Sequence, residues 1–438
     1  MDTVKKIHFV LGENFRLRFI FIFILILIGT ILETLSVALV LPALLLFANP
    51  TEFLSHPVIN GNLDFVLSYS QYELIIIGMS VLILSYFLKS VFLFYLIWMQ
   101  NIFSFKFQAF TAQRIFNKYL NQEYNFHLRR NSAELIRNIT FEVQSLSNGV
   151  VLQGMTLLTE IFVLIGISIL LLNIHLFGTL ISITSLLVIS SIYYLTIRGY
   201  ILKWGKKRQL HDGYRLKHLQ QGLNGIKEAK VLGREDYFKT QFEYHNENAA
   251  DVSRLQNTFQ QFPRISIEFL AVLGLFFLIY ILILGNAEIP NIIATVGLFG
   301  AAAFRLLPSL NRIISALTAI RFGLPALDKV YFELSSVLVN SRPEDIQVSQ
   351  ISCEYENSYS NLIKLDNITY RHKTSKRVTV ENITLSINKG EIIGLVGPSG
   401  SGKSTTIDIL LGLLSPDKGE VKYKDKNIFK SLRDYQDN

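Results

Sequence analysis

Between Glu391 and Ser415 the chain reads EIIGLVGPSGSGKSTTIDILLGLLS. Within it Gly397, Pro398, Ser399, Gly400, Ser401, Gly402, Lys403 and Ser404 fit G-x-x-x-x-G-K-[ST], the pattern of a loop that holds nucleotide phosphates. Each residue type has a chemical reason. Glycines let the loop bend so that successive backbone N–H groups converge on phosphate oxygens. Lys403 brings a cation to the β- and γ-phosphates, and the Ser404 hydroxyl is the candidate Mg²⁺ ligand. Thr405, next in sequence, completes the set read as binding ATP and Mg²⁺.

Two elements must position this loop. Ile392 to Val396 is a short apolar, β-branched run and is expected to be a buried strand leading into it. After it, Ile407, Ile409, Leu410, Leu411, Leu413 and Leu414 predict an apolar helix ended by Pro416. Such a helix aims the positive end of its dipole at the same anion.

The rest of the composition points to a membrane. Half of the 438 residues are hydrophobic and the mean hydropathy is +0.35. Cys353 is the one cysteine, so neither an internal disulfide nor a thiolate metal cluster is expected. A net charge of +8 could answer to nucleic acid, but no such binding motif accompanies it. Basic cytoplasmic loops explain it better. Lys5, Lys6, Arg16 and Arg18 precede an apolar run from Phe19 to Phe47. That run is far longer than the ~7–15 residues of a signal-peptide core, which makes it an uncleaved first span.

Six apolar spans can be drawn, approximately at 19–47, 74–99, 150–172, 176–197, 265–284 and 292–310. Each approaches or exceeds the ~20 residues that cross a bilayer. Loops 49–73, 173–175 and 285–291 carry no Lys or Arg, whereas 100–149 and 198–263 are rich in them. The alternation puts both termini in the cytoplasm, with the phosphate loop on the ATP side. The two basic segments have helical apolar spacing, as in Leu135, Ile136, Ile139 and Val143, and read as spans continued into the cytoplasm. A polar stretch, 340–361, is the expected linker between a membrane domain, 1–339, and the start of a nucleotide-binding domain, 362–438. Alternation returns at Ile363-Lys364-Leu365 and Val378-Thr379-Val380, predicting strands.

Six spans, two long basic loops and a C-terminal phosphate loop together resemble an ABC exporter half-transporter. Locally, Asn131–Val143, Gly225–Phe238 and Leu411–Gly419 are similar to stretches of that family. The resemblance implies a multi-pass α-helical domain of the type I exporter form, followed by an α/β phosphate-loop domain. It also implies short coupling helices in the loops, a homodimer (or a heterodimer with an intact half-transporter), alternating access and an inner-membrane location. Phe304–Ile314 and Phe262–Ile265 are similar to bacterial flippases of lipid-linked oligosaccharides. That makes the cargo a polyprenyl-pyrophosphate glycan, with another lipid, peptide or drug as the alternative, and Lys89, Arg264 and Arg305 as candidate partners of its phosphates. Each cation also has a plainer reading: positive-inside bias for Arg264, snorkelling for Lys89, a buried ion pair for Arg305. Glu33, Glu160 and Glu268 fall in the same spans and are expected to pair with these cations.

Two departures from the family pattern stand out. Where the family stacks an aromatic ring on adenine, this chain has Tyr370-Arg371-His372, so Tyr370 and His372 are the candidates for the base. After Lys424-Asp425-Lys426 there is no signature motif, acidic Mg²⁺ ligand, catalytic glutamate or switch histidine before Asn438. The sequence is therefore expected to be a truncated half-transporter that does not hydrolyse ATP by itself, or a degenerate subunit paired with an intact homologue.

Overall fold

The computed structural model describes residues 3–40, 43, 71–174, 176–284, 289–336, 362–372 and 377–437. The expected linker at 340–361, Cys353 and most of the first loop without Lys or Arg lie outside the described residues. Two compact units emerge: residues 1–118 with 133–336, and residues 119–132 with 337–438.

The first unit is helical. Its long helices are Arg16–Ala38, Gln71–Leu120, Leu152–Ile174, Leu176–Asn224, Glu235–Leu284 and Ile289–Ser335. Among the described residues, three stretches are apolar and long enough to cross a membrane: Arg16–Ala38, Tyr72–Leu120 and Ser132–Asn173. The 50-residue helix Gln71–Leu120 is about 75 Å long at ~1.5 Å per residue, more than twice a bilayer's apolar thickness. Rods of this length run on well past the apolar stretches they contain.

Close backbone approach holds the helices together. A Cβ added at Gly166 would lie 2.4 Å from Thr34 Oγ1, and one at Gly205 would lie 2.4 Å from the Phe322 carbonyl. Without side chains at these positions, Val37, Val163, Ile167 and Leu171 close into one buried cluster with Leu306. Helices 176–224 and 235–284 run antiparallel, with Ile197, Ile201 and Val252 closing into one core with Phe322 of the helix Ile289–Ser335. Pro263 lies inside the second of them. It has no N–H for the carbonyl four residues back, that of Phe259. The Tyr193 hydroxyl donates to that carbonyl instead.

The second unit is built on a four-stranded antiparallel sheet of order β2-β1-β3-β4, with β1 Ile363–Tyr370, β2 Val380–Ile387, β3 Lys418–Tyr423 and β4 Lys426–Asn427. Between β3 and β4, Lys424 and Asp425 both have positive φ, 48° and 61°. Such a pair is the mark of a tight hairpin whose twist matches its strands. Leu365, Ile368, Tyr370, Val380, Ile409, Leu414, Val421 and Ile428 form the core, and Tyr124, just after the helix Gln71–Leu120, packs against it. This loop tip, residues 119–132, groups with the sheet and not with the helical unit to which the sequence-based division gave it.

Two sequence expectations are corrected here. Residues 392–396 form no strand, and Ile392 and Val396 are each 98% exposed. No strand among the described residues lies beside them, and a strand without a hydrogen-bonding neighbour has no ladder to fix it. The apolar helix ends at Leu410, not at Pro416. Gly412, at φ 70°, reverses the chain there. Leu413 N–H then bonds the Asp408 carbonyl at 2.9 Å and Gly412 N–H the Ile409 carbonyl at 3.0 Å, the paired bonds of a Schellman stop.

Candidate functional site: a phosphate cradle and a cavity beside Arg264

The loop expected to hold phosphate is a turn closed onto the start of the helix Lys403–Leu410. Gly400 and Gly402 sit at φ 82° and 88°, where side-chain-bearing residues are strained. At Gly402 the space is also taken: a Cβ would lie 2.6 Å from the Thr379 carbonyl. Thr379 N–H in turn bonds the Tyr370 carbonyl at 2.9 Å, so the β1–β2 hairpin supports the loop from beneath. At Gly400 nothing lies within 4 Å of an added Cβ, which leaves that side open for a ligand.

Lys403 folds back over the turn. Its Nζ donates to the Gly397 carbonyl at 2.7 Å, the Pro398 carbonyl at 2.8 Å and Ser401 Oγ at 3.4 Å. All three acceptors are neutral, so they orient the ammonium without cancelling its charge. The N–H groups of Lys403, Ser404 and Thr405 belong to the first turn and have no acceptor within the helix. Thr406 N–H and Oγ1 both bond the Gly402 carbonyl, at 2.8 and 2.9 Å, which fixes the helix start. Ser404 is exposed on the same turn, with Ser399 in the open bend. A held cation, free N–H groups and open space suit an anionic phosphate chain, so these residues fit ATP.

Around the cradle the aromatic candidates part company. Tyr370 is 4% exposed, a member of the core, and its hydroxyl donates to Asn125 Oδ1 at 3.1 Å. Burial pushes that hydroxyl above the usual phenol range, with the Asn125 bond opposing. It has no face left for a base. His372 meets the Tyr370 ring edge to face at 5.0 Å, and its Nε2 lies 3.5 Å from Thr405 Oγ1. Of the two, only His372 is partly open and beside the cradle.

In the helical unit the expected ion pairs are redistributed. Arg264 pairs with Glu268 at 2.8 Å on one helix. Glu160 pairs with Arg312 at 2.6 Å, a residue the sequence reading passed over. Its signal was there: a buried carboxylate needs a cation, and Arg312 lies one turn beyond Pro308. Lys89 sits 4.2 Å above the Tyr86 ring. Arg305 lies in the helix Ile289–Ser335, but its side chain is outside the described residues. Arg264 also lines a cavity of about 380 Å³ with Asn257, Gln260, Gln261, Asn311 and Ser315. All six lining residues carry polar groups, and their aliphatic stems share the wall with them. The amide-rich run Gln256-Asn257-Thr258-Phe259-Gln260-Gln261, just before a span, was the legible trace of it.

The family model for the ABC transporter transmembrane region matches residues 38–304, and that for the ABC transporter matches residues 380–438. An ATP-dependent lipid A-core flippase of Alkalilimnicola ehrlichii is 24% identical over 324 residues, which is 71% of this chain and 51% of that protein. A putative hemin import ATP-binding protein of Staphylococcus haemolyticus is 49% identical over 61 residues, 14% of this chain and 28% of that protein. The solved structure of a bacterial Atm1-family ABC exporter with ATP bound superposes with a TM-score of 0.65. It does so at 14% identity, over 94% of this chain and 68% of that one. The chain spans about half the length of the curated flippase it matches. The membrane-region model covers more than half of the chain, which therefore belongs to the ABC transporter family, with a type I exporter-like helical region and a partial nucleotide-binding domain.

Proposed function

We propose that this chain is the membrane domain and the phosphate-cradling part of an ATP-driven flippase for a lipid-linked oligosaccharide. The observation that carries the reading is the Lys403 ammonium, held by neutral carbonyls at the mouth of an open loop. The chain spans the inner membrane six times, with both termini cytoplasmic. Residues 1–339 form the membrane domain, 340–361 the linker and 362–438 the first part of the nucleotide-binding domain. Gly397 to Thr405 bind the phosphates, Ser404 holds Mg²⁺ and His372 meets the base. Two such chains, or one with an intact half-transporter, work as a dimer by alternating access.

Among the described residues no acidic Mg²⁺ ligand and no base to orient water stand beside the cradle, and this chain by itself binds ATP without hydrolysing it. Lys89, Arg264 and Arg305 are the partners of an anionic cargo head, and the cavity beside Arg264 offers amide and hydroxyl groups to it. A second reading takes a different glycolipid as cargo, which the flippase relatives favour by name.

The test is equilibrium binding of a fluorescent ATP analogue to the full chain in detergent. Wild type binds and Lys403→Ala binds at least about tenfold more weakly, the loss of one charge-assisted phosphate contact. Equal binding by the two removes the reading. Cargo is decided in the full-length protein by charge reversal at Lys89 and Arg305. Lost glycan-lipid flipping with nucleotide binding intact supports the oligosaccharide, and unchanged flipping turns the reading to another cargo.

A further inference from the structure

Away from the cradle and the cavity, three histidines meet between the cytoplasmic parts of helices 176–224 and 235–284. His211, Tyr214 and His218 recur at spacings of three and four, one stripe of the first helix. Tyr244 and His245 face them from the second. His211 Nδ1 and His245 Nδ1 are 3.0 Å apart. The Tyr214 and His218 rings lie nearly parallel to His245, at centroid distances of 4.9 and 5.5 Å and angles of 15° and 11°. The Nδ1 atom of His218 is buried without a hydrogen-bond partner. Parallel stacking does not aim these nitrogens at one point, and among the described residues no cluster suits a metal ion.

The arrangement is instead a constraint on protons. Two ring nitrogens at hydrogen-bond distance need one N–H and one lone pair, so the His211–His245 bond survives one added proton but not two. A second charge would also face His218 across a stack, where two imidazolium rings repel. We propose that His211, His245 and His218 form a proton-released clasp between the two cytoplasmic helices, closed when the rings are neutral and opened by acid.

The surroundings set the direction. Lys207 and Lys217 disfavour added charge on His211 and His218, while Asp212 favours it on His211. Asp212 is engaged by Arg215, which also reaches Asn246, and by Arg208. From the helix packed behind, Arg137 approaches Gly213 and Glu142 pairs with Arg137 and Arg208. Burial, ahead of these charges, holds all three histidines below the usual imidazole range. The open arm therefore binds protons more readily than the closed one. Closure is fully favoured above the ordinary histidine pKa, about 6.5, and weakens as pH falls below it. Each proton taken up on opening shifts the equilibrium about tenfold per pH unit.

What the clasp governs follows from its place. It lies between the apolar contact of Ile201 with Val252 and the short helix Ile226–Val231 at the arm's tip. Opening it frees the tip while the membrane ends stay packed.

The experiment places nitroxide labels at Leu223→Cys and Tyr237→Cys, both exposed sites near the tip, in full-length chain carrying Cys353→Ser in lipid nanodiscs. Between about pH 7.5 and about pH 5.5 the label separation should lengthen and broaden, and the change should vanish in His211→Gln/His245→Gln. An unchanged separation, or the same change in the double variant, overturns the clasp. Should that variant fold poorly, amide exchange on the wild-type chain decides. After correction for intrinsic rates, residues 205–250 should lose protection in acid while helix 152–174 does not, and uniform behaviour overturns the clasp.

Discussion

The Glu160 carboxylate and the Arg312 guanidinium meet at 2.6 Å across helices 152–174 and 289–335, with the Glu160 side chain 6% exposed and that of Arg312 47% exposed. One partner is sealed in the apolar layer and the other is half open. The pair therefore ties two helices at a depth where an isolated carboxylate is costly. Arg312→Ala should lower stability by about 1–3 kcal/mol, below the cost of breaking a sealed pair because Arg312 is partly solvated. Glu160→Gln/Arg312→Gln should recover much of that loss. Thermal unfolding in detergent, read as a double-mutant cycle, checks both, and additive losses would disprove the pairing.

Pro263 and Tyr193 make a second coupled pair. Tyr193→Phe removes the donor to the Phe259 carbonyl and should cost about 1–3 kcal/mol, the penalty of a buried acceptor left unmet. Pro263→Ala supplies the missing N–H from within the helix. The two changes together should therefore be less damaging than Tyr193→Phe alone, as measured by melting of the purified chain.

Gly402 is the most demanding residue of the cradle. Gly402→Ala forces a Cβ against the Thr379 carbonyl at a backbone angle that disfavours it. A cost of about 1–3 kcal/mol in local stability is expected, together with loss of ATP-analogue binding. Gly400→Ala meets strain but no neighbour, and should cost about 1–2 kcal/mol with weaker effect on the hairpin beneath. Limited proteolysis of residues 362–437 separates the two.

His372 and Tyr370 should divide binding from folding. His372→Ala is expected to weaken nucleotide binding about fivefold to tenfold, a stacking contribution at the lower end of ~1–3 kcal/mol, with melting unchanged. Tyr370→Ala empties a core position and should cost about 3–5 kcal/mol in stability. Equal loss of affinity at equal stability for both variants would contradict the assignment.

Much of this was written in the order of residues. The phosphate loop follows from glycines, a lysine and a hydroxyl at fixed spacing, because that chemistry is local. Long helices follow from apolar runs for the same reason. The failures came where neighbours decide. Ile392 to Val396 has strand composition, yet a strand is defined by what lies beside it. Pro416 looked like the helix stop, but Gly412 supplies an earlier one through two hydrogen bonds. Tyr370 and His372 are equal on paper, and only burial tells them apart. Arg312 carried a signal of its own, but which carboxylate it meets was not legible, because that partner stands 152 positions earlier in the chain.

The bare segment from Ile392 to Val396 has a practical corollary for anyone handling this chain. Its unladdered peptide groups and the exposed side chains of Ile392, Leu395 and Val396 offer an adhesive surface to another molecule. Contacts of that kind are independent of the membrane helices. Hydrodynamic size would then report that stickiness, and a mass of twice the monomer would say nothing by itself about which surfaces had met.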